Sequence, residues 1–345
     1  MQNFKRILKN TLIFSVFVAG ISLFLGFQYY RSGYGKYYVF DEIHNQHNNY
    51  DTIICGASQG AIGIVPQVLD EELGINCFNA STQGGPLISR LDLCKEMIEL
   101  NPVKTVILDM SETALAGYNK DSKTENILIS HRISWREKIP FLLRNISIKY
   151  WFDTWNEIIT YGTYETAYQR ITFASTGSLP SPIYIPENYL GKGYYLGYDG
   201  KPDFDVSEHI ENYQSRTMEF EIDKECVEKL TEFFDFCDSK SIEVIVISLP
   251  SMNTYLEQFT DIDKVLPIYK KICKDRGYKY LNFNLHKQKN EYIVDNSYFY
   301  DAVHLSTEGG YSFSYMLADT IRNLNDSVTV DEMFYETYAD VQNRK

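Results

Sequence analysis

The sequence predicts an α/β fold built on a doubly wound, five-stranded parallel sheet. Short runs of buried-type residues alternate along the chain with amphipathic segments, an order typical of parallel sheets covered by helices on both faces. The predicted strands are rich in β-branched and aromatic residues and cover residues 50–55, 75–78, 105–108, 242–247 and 278–283. Ligands of such sheets bind beyond the carboxyl ends of the strands, so functional residues are expected there.

The predicted helices have recognisable periodicity and boundaries. Residues 87–100 carry apolar side chains at helical spacing, and Pro102 follows them because proline cannot continue a helix. Amphipathic segments at 223–240 and 262–276 precede the fourth and fifth strands, and a final helix starts near Thr307. Each strand is thus followed or preceded by a helix, as a doubly wound sheet requires.

A large insertion, at about residues 115–220, interrupts the alternation of strands and helices. It is rich in Tyr, Trp, Pro and Gly, most densely between Ser178 and Gly200. Such a segment is too long for a connection within a compact sheet, and it predicts a partly helical cap over the edge where ligands bind. A surface loop is the alternative for its Pro- and Gly-rich half.

The N-terminus predicts a membrane anchor over residues 1–30, followed by the α/β domain over residues 31–345. Lys5, Arg6 and Lys9 precede an uncharged apolar run from Thr11 to Phe27. Such a run predicts a single transmembrane helix, and the cations before it place the following domain outside the cytoplasm. The alternative is a cleaved signal peptide, but no convincing small-x-small cleavage site follows Gly26.

The composition excludes some classes of partner. A formal net charge of −13 opposes binding to nucleic acid, whose phosphates require clustered cations. The six cysteines contain no C-x-x-C pair, so they predict neither a metal site nor a small disulfide framework. His44 and His47 have a spacing that suits zinc, but no third ligand is evident and a solvated connector is the simpler interpretation. We predict no metal and no cofactor.

Ser58 is the candidate nucleophile. It lies in Gly56–Ala57–Ser58–Gln59–Gly60, directly after the first predicted strand. A serine on a tight strand-to-helix turn exposes its hydroxyl beside the backbone N–H groups of the next helix. The pattern G-x-S-x-G is weak by itself, because an ordinary N-cap serine has the same local sequence.

Asp301 and His304, before the last helix, are the candidate base and its partner. A carboxylate three residues before a histidine can orient the ring through one nitrogen and leave the other to accept the serine proton. Taken alone, His304 has a simpler alternative: a partly buried structural histidine at the capped start of a helix, next to Ser306 or Thr307. The joint pattern, a serine after the first strand and D-x-x-H before the last helix, is more specific than either part.

These motifs resemble those of the SGNH (GDSL-type) hydrolase superfamily, which has a flavodoxin-like three-layer fold. The resemblance covers roughly residues 50–115 and 240–322. The family is recognised by short sequence blocks, numbered in chain order. Ser58 matches the nucleophile of the first block, although GASQG replaces the usual GDS, and Asp301 and His304 match the fifth block. Phe78 to Gly84 matches the second block, which implies that Gly84 joins Ser58 in donating a backbone N–H to the oxyanion. The third block departs: Asp109-Met110-Ser111-Glu112-Thr113 replaces the G-x-N-D asparagine, and only Ser111 or Thr113 can be suggested as the missing donor. The α/β-hydrolases also use a G-x-S-x-G serine, but their catalytic acid lies a full secondary-structure element before the histidine. In this chain the acid lies only three residues before the histidine, which favours the SGNH resemblance.

The anchor, the insertion and the missing asparagine are similar to features of DltD-like proteins and of SGNH proteins that O-acetylate exopolysaccharides. This resemblance implies a membrane-tethered, extracytoplasmic serine acyltransferase or esterase that forms an acyl-serine. It further implies a cell-surface polysaccharide or teichoic-acid-like polymer as substrate and a multi-spanning membrane O-acyltransferase as partner. The alternative is a non-catalytic SGNH-fold protein that binds or assembles glycopolymer through its Tyr-rich insertion.

One other catalytic class remains open from the residues alone. Asp51, Asp109 and Glu112 lie near the ends of predicted strands, where two carboxylates can act as the acid and base of a glycosidase. Polar strand ends are the simpler interpretation of these three residues.

Overall fold

A five-stranded, fully parallel sheet forms the centre of the fold. The computed structural model describes residues 2–31, 39, 42–44, 49–111, 113–115, 126, 129–130, 132–150, 187–196, 222–257 and 262–342. The strands of these residues are β1 (Thr52–Cys55), β2 (Cys77–Asn79), β3 (Thr105–Asp109), β4 (Tyr189–Gly191), β5 (Tyr194–Tyr195), β6 (Glu243–Ser248) and β7 (Lys279–Asn282). The order in the central sheet is β2-β1-β3-β6-β7, which confirms the predicted fold class.

Helices surround this sheet. The α-helices of the described residues are α1 (Gln2–Arg31), α2 (Ser58–Gly63), α3 (Pro66–Leu73), α4 (Leu87–Leu100), α5 (Trp135–Asn145), α6 (Lys224–Ser239), α7 (Asn253–Leu256), α8 (Ile262–Lys274), α9 (Lys289–Tyr292), α10 (Thr307–Asn325), α11 (Val330–Met333) and α12 (Tyr338–Gln342). Short 3₁₀ helices occur at Ile148–Tyr150, Phe283–Leu285 and Asn296–Tyr298.

The central strands are buried on both faces. Ile53, Ile54 and Val106 have no exposed surface, and β1 is buried along its whole length. Strands that are covered on both sides read as continuous apolar runs, because neither face can alternate with polar residues. This explains why the strands were recognisable as short runs of β-branched residues.

The order of the strands reverses direction between β1 and β3. From β1 the chain passes outward to β2, then returns to β3 on the other side of β1 and continues to β6 and β7. Because crossovers between parallel strands are right-handed, this reversal puts successive helices on opposite faces. Ligands of open α/β sheets bind beyond the carboxyl ends of the strands at such a switch point.

Two groups of helices cover the sheet. α4 packs against α6 in one group, and α10 packs against α2 and α3 in the other. The contact between α10 and α2 brings the last long helix of the domain to the end of the first strand. The segment that precedes α10 therefore lies close to the loop that follows β1.

The N-terminal helix α1 contains the apolar run that was predicted to span a membrane. Among the described residues, no helix combines the length and the apolar character that crossing a membrane requires. The structure therefore does not confirm the predicted transmembrane helix.

The insertion is described only in part. α5 packs on α4, and the β4–β5 hairpin contacts the end of β2, where the N–H of Asn79 donates to the carbonyl of Lys192 over 2.8 Å. The hairpin therefore lies beside the edge strand β2, whereas α5 lies on the helix layer that covers the sheet. The rest of the predicted cap, including residues 116–125, 151–186 and 197–221, lies outside the described residues.

Candidate active site

The turn between β1 and α2 carries Ser58. Ala57 occupies the N-cap position and makes no side-chain capping hydrogen bond, and Ser58 is the first residue of the helix. The alternative of an ordinary N-cap serine is therefore wrong, because the cap lies one residue earlier. The Ser58 side chain is half-buried and faces a histidine from the far end of the chain.

Ser58, His304 and Asp301 form a continuous hydrogen-bonded chain. Nε2 of His304 lies 2.7 Å from Oγ of Ser58, and Nδ1 lies 2.7 Å from Oδ2 of Asp301. An ionised carboxylate only accepts hydrogen bonds, so Nδ1 carries the ring proton and Nε2 accepts the serine hydroxyl proton. The structure thus brings the three predicted catalytic residues together in the order that general-base chemistry requires.

Asp301 is held in one orientation. Its Oδ1 accepts the backbone N–H groups of Val303 and His304 at 2.8 and 2.7 Å, while Oδ2 faces the imidazole. Burial acts to raise the pKa of Asp301, but the hydrogen bond and charge of His304 and these two N–H groups hold it below its usual value. Asp301 is therefore ionised at neutral pH.

The loop that carries His304 is fixed from several sides. The N–H of Tyr300 donates to the carbonyl of His304, which closes the loop on itself. The N–H of Met252 donates to the carbonyl of Ala302. Nε2 of the buried Gln59, the residue after Ser58, donates to the carbonyl of Val303 over 3.0 Å. Gln59 therefore ties the serine turn directly to the histidine loop, a role that the sequence did not suggest.

The second-block loop packs against the serine turn. Nδ2 of Asn79 donates to the carbonyls of Gly60 and Ile64, and the N–H of Thr82 donates to the carbonyl of Gly56. Gly84 follows with φ 79°, a left-handed conformation that glycine adopts without strain. The loop that contains Gly84 is thus anchored beside Ser58.

A buried arginine from the insertion also supports this loop. Nη1 of Arg132 donates to the carbonyls of Ala80 and Ser81 at 3.3 and 2.9 Å. Nε2 of His44 lies 2.9 Å from the Arg132 carbonyl, so this histidine of the suggested zinc pair is engaged with backbone; His47 lies outside the described residues. Nothing in the local sequence marked Arg132 as part of this region.

The suggested glycosidase carboxylates do not form a pair. Asp51 precedes β1 and accepts the N–H of Asn76, whereas Asp109 ends β3, so the two lie at opposite ends of parallel strands. Glu112 lies outside the described residues. Two carboxylates must flank one bond to act as a glycosidase acid and base, and Asp51 and Asp109 do not meet this condition.

Ser111 and Thr113, the suggested replacements for the third oxyanion donor, follow β3. Their hydroxyl oxygens lie 3.4 Å apart, and the carbonyl of Ser111 accepts the hydroxyl of Tyr269. Within the described residues neither hydroxyl forms a hydrogen bond with Ser58. Their role as donors stays a prediction.

Comparisons with known proteins give only distant similarity. No protein-family model matches the chain, and a search among curated proteins gives no match. One similar solved structure is provisionally described as a platelet activating factor from Streptococcus pneumonia, with TM-score 0.38, 10% identity and coverage of 91% of this chain and 98% of that chain. Another is provisionally described as an acylhydrolase from Bacteroides fragilis NCTC 9343, with TM-score 0.37, 9% identity and coverage of 81% and 89%. At these values the similarity carries no argument about activity.

Proposed function

We propose that this protein is a serine esterase or acyltransferase that forms an acyl-serine at Ser58. The observation that supports this proposal most is the hydrogen-bonded chain Ser58–His304–Asp301 at the carboxyl end of β1. Three side chains that fill the roles of nucleophile, base and orienting acid rarely meet by chance over such a separation in sequence.

The first half of the reaction breaks the substrate ester. His304 Nε2 takes the proton of the Ser58 hydroxyl as Oγ forms a bond to the ester carbonyl carbon. Asp301 stabilises the imidazolium that results, since its carboxylate already faces Nδ1. The tetrahedral intermediate then collapses, the carbon–oxygen bond of the ester breaks, and His304 returns the proton to the leaving alcohol.

Backbone N–H groups stabilise the negative oxygen of the tetrahedral intermediate. The N–H of Ser58 opens α2 and has no acceptor within the helix, and we assign the second donor to Gly84. Removing one oxyanion donor typically costs about 100- to 1,000-fold in rate.

The second half of the reaction releases the acyl group. His304 removes a proton from an incoming hydroxyl, whose oxygen attacks the carbonyl carbon of the acyl-serine. The bond from that carbon to Oγ then breaks, and His304 returns the proton to Oγ. Water as the acceptor gives a carboxylic acid, which is the esterase reaction. A sugar hydroxyl gives a new ester, which is the transferase reaction.

We propose that the acceptor or substrate is an O-acylated cell-surface glycopolymer and that the protein works at the outer side of the cell membrane. The motif resemblance to DltD-like and exopolysaccharide O-acetylating SGNH proteins supports this, and so do Lys5, Arg6 and Lys9 before the apolar run. A multi-spanning O-acyltransferase is the proposed partner that supplies the acyl group. In cells that lack this protein, we expect polymer acylation to fall if the protein is a transferase and to rise if it is an esterase. In either case the wild-type chain should restore the normal level and Ser58→Ala should not.

A fluorophosphonate probe tests the acyl-enzyme chemistry directly. We expect covalent labelling of Ser58 in the wild type, and no labelling in Ser58→Ala or His304→Ala. Ser239→Ala is the matched control, because Ser239 is an exposed serine at the end of α6. A folded wild-type protein that resists the probe would favour the non-catalytic glycopolymer-binding role instead.

A further inference from the structure

We propose that Asp109 is a positioning residue for the nucleophile, whose buried carboxylate holds the turn that carries Ser58. This inference rests on the proposed role of Ser58 and adds a residue from outside the three side chains described above. It also gives a function to the position at which this chain departs from the third sequence block.

The Asp109 carboxylate binds the turn on both sides of Ser58. Oδ2 accepts the N–H of Ala57 at 3.3 Å and the N–H of Gly60 at 3.1 Å. One oxygen thus ties together the residue before Ser58 and the residue two positions after it. The N–H of Ser58 itself is left for the oxyanion.

The two motif glycines are required by this approach of Asp109. A Cβ on Gly56 would lie 2.5 Å from the Cβ of Asp109, and a Cβ on Gly60 would lie 2.9 Å from its Oδ2. Contacts this short force a shift of the backbone or of the carboxylate. The pattern G-x-S-x-G is therefore explained here by the carboxylate that packs under the turn.

Keeping a carboxylate in this place costs stability. Asp109 is 1% exposed, and its Oδ1 has no hydrogen-bond partner among the described residues. Burial raises the pKa of Asp109 to about 6, although the charge of the buried Arg90 and the two turn N–H groups lower it. Packing does not require such a group, because an apolar side chain would avoid the cost of burying a charge.

Sheet order explains how Asp109 reaches the turn. β3 lies directly beside β1, with Leu108 in register with Cys55, so Asp109 emerges next to the first residue of the turn. The carboxylate is carried on a central strand, which is more rigid than a loop. A displacement of the nucleophile by about 1 Å can cost about 100-fold in rate, so a rigid support matters.

The experiment compares Asp109→Ala with Asp109→Asn and with Asp51→Ala. Asparagine keeps a carbonyl oxygen that can accept both turn N–H groups, whereas alanine keeps none. Asp51 is the matched control, because its carboxylate also accepts a backbone N–H but lies at the opposite end of β1. We measure the rate of fluorophosphonate labelling, the Tm, and hydrogen–deuterium exchange of the peptide over residues 56–63.

We expect Asp109→Ala to label about 100-fold more slowly and to exchange faster over residues 56–63 at temperatures where it stays folded. Asp109→Asn should label within about tenfold of the wild type, and Asp51→Ala at the wild-type rate. If alanine prevents folding, Asp109→Ser takes its place, because its shorter side chain does not reach both N–H groups.

Three results would overturn the proposal: an unchanged labelling rate in Asp109→Ala, equal losses in the alanine and asparagine variants, or an equal loss in Asp51→Ala. A wild type that is not labelled at all refutes the proposed function separately. In that case hydrogen–deuterium exchange over residues 56–63 alone tests whether Asp109 holds the turn. Unchanged exchange in Asp109→Ala would then overturn the proposal.

Discussion

Replacing Asp301 by asparagine tests the hydrogen-bonded chain from Asp301 through His304 to Ser58. Oδ1 of Asp301 accepts two backbone N–H groups, at 2.8 and 2.7 Å, and Oδ2 faces Nδ1 of His304. An asparagine must place its one carbonyl oxygen at either position. Facing its NH₂ toward the two backbone N–H groups would lose two hydrogen bonds, at about 0.5–1.5 kcal/mol each, and bring donors together.

The carbonyl oxygen of Asp301→Asn therefore stays with the backbone, and its NH₂ turns toward His304. Nδ1 must then accept a hydrogen bond, which moves the ring proton to Nε2. That nitrogen can no longer take the proton of Ser58. In Ser-His-Asp enzymes the same acid-to-amide change lowers kcat by about 10,000-fold, or about 5 kcal/mol of transition-state stabilisation.

Labelling of Ser58 by a fluorophosphonate, followed by mass spectrometry, measures this effect at neutral pH. The Tm of Asp301→Asn should stay close to the wild type, because the backbone hydrogen bonds are kept. Asp295→Asn is the control, since Asp295 accepts the backbone N–H of Ser297 outside the site. Retention of more than about a tenth of the wild-type rate in Asp301→Asn would refute the reasoning.

Three further predictions follow from the geometry. Gly60→Ala should lower the free energy of unfolding by about 1–3 kcal/mol and slow labelling of Ser58, because the new Cβ meets the Asp109 carboxylate. Gly20→Ala is the control, because its Cβ would enter open space, and equal stability of the two variants in urea denaturation would contradict the prediction. Burial lowers the pKa of His286 to about 4, so the neutral ring stabilises the fold above pH 6.5 and about 3 kcal/mol is lost as the pH falls toward 4; His286→Gln should lose less over that range. All six cysteines are buried and free, and burial raises the pKa of Cys237 and Cys273 to about 12, so a thiol reagent should modify none of them in the folded protein and all six in denaturant.

Much of the fold could be predicted because its elements have strong periodic signals. The helix predicted at 87–100 is α4 (Leu87–Leu100), and the last long helix, α10, begins at Thr307 as expected. The strand predicted at 75–78 lies slightly later, as Cys77–Asn79, because hydrogen bonding to β1 decides where a short strand begins. The β4–β5 hairpin was not predicted, since its pairing depends on contacts with the end of β2.

Some contacts of the candidate site could be predicted from sequence motifs, and others depend on how distant parts of the chain pack. The meeting of Ser58 with Asp301 and His304 could be predicted, because a serine after the first strand and D-x-x-H before the last helix form a specific joint pattern. The contact of Asp109 with the serine turn could not, because it depends on β3 lying beside β1. The hydrogen bond of Gln59 to the carbonyl of Val303 spans 244 positions, and no local pattern encodes it.

The separation of Ser58 from His304 has a consequence for a chain that is still being synthesised. The two residues lie 246 positions apart, and His304 reaches the serine on the segment that leads into α10. Chains emerge from the ribosome N-terminus first, so the serine turn and β3 are exposed long before their base. Until α10 docks against α2 and α3, the hydroxyl of Ser58 has no group to take its proton. Under the proposed mechanism, a nascent chain therefore carries a serine that stays unreactive toward esters until the domain is nearly complete.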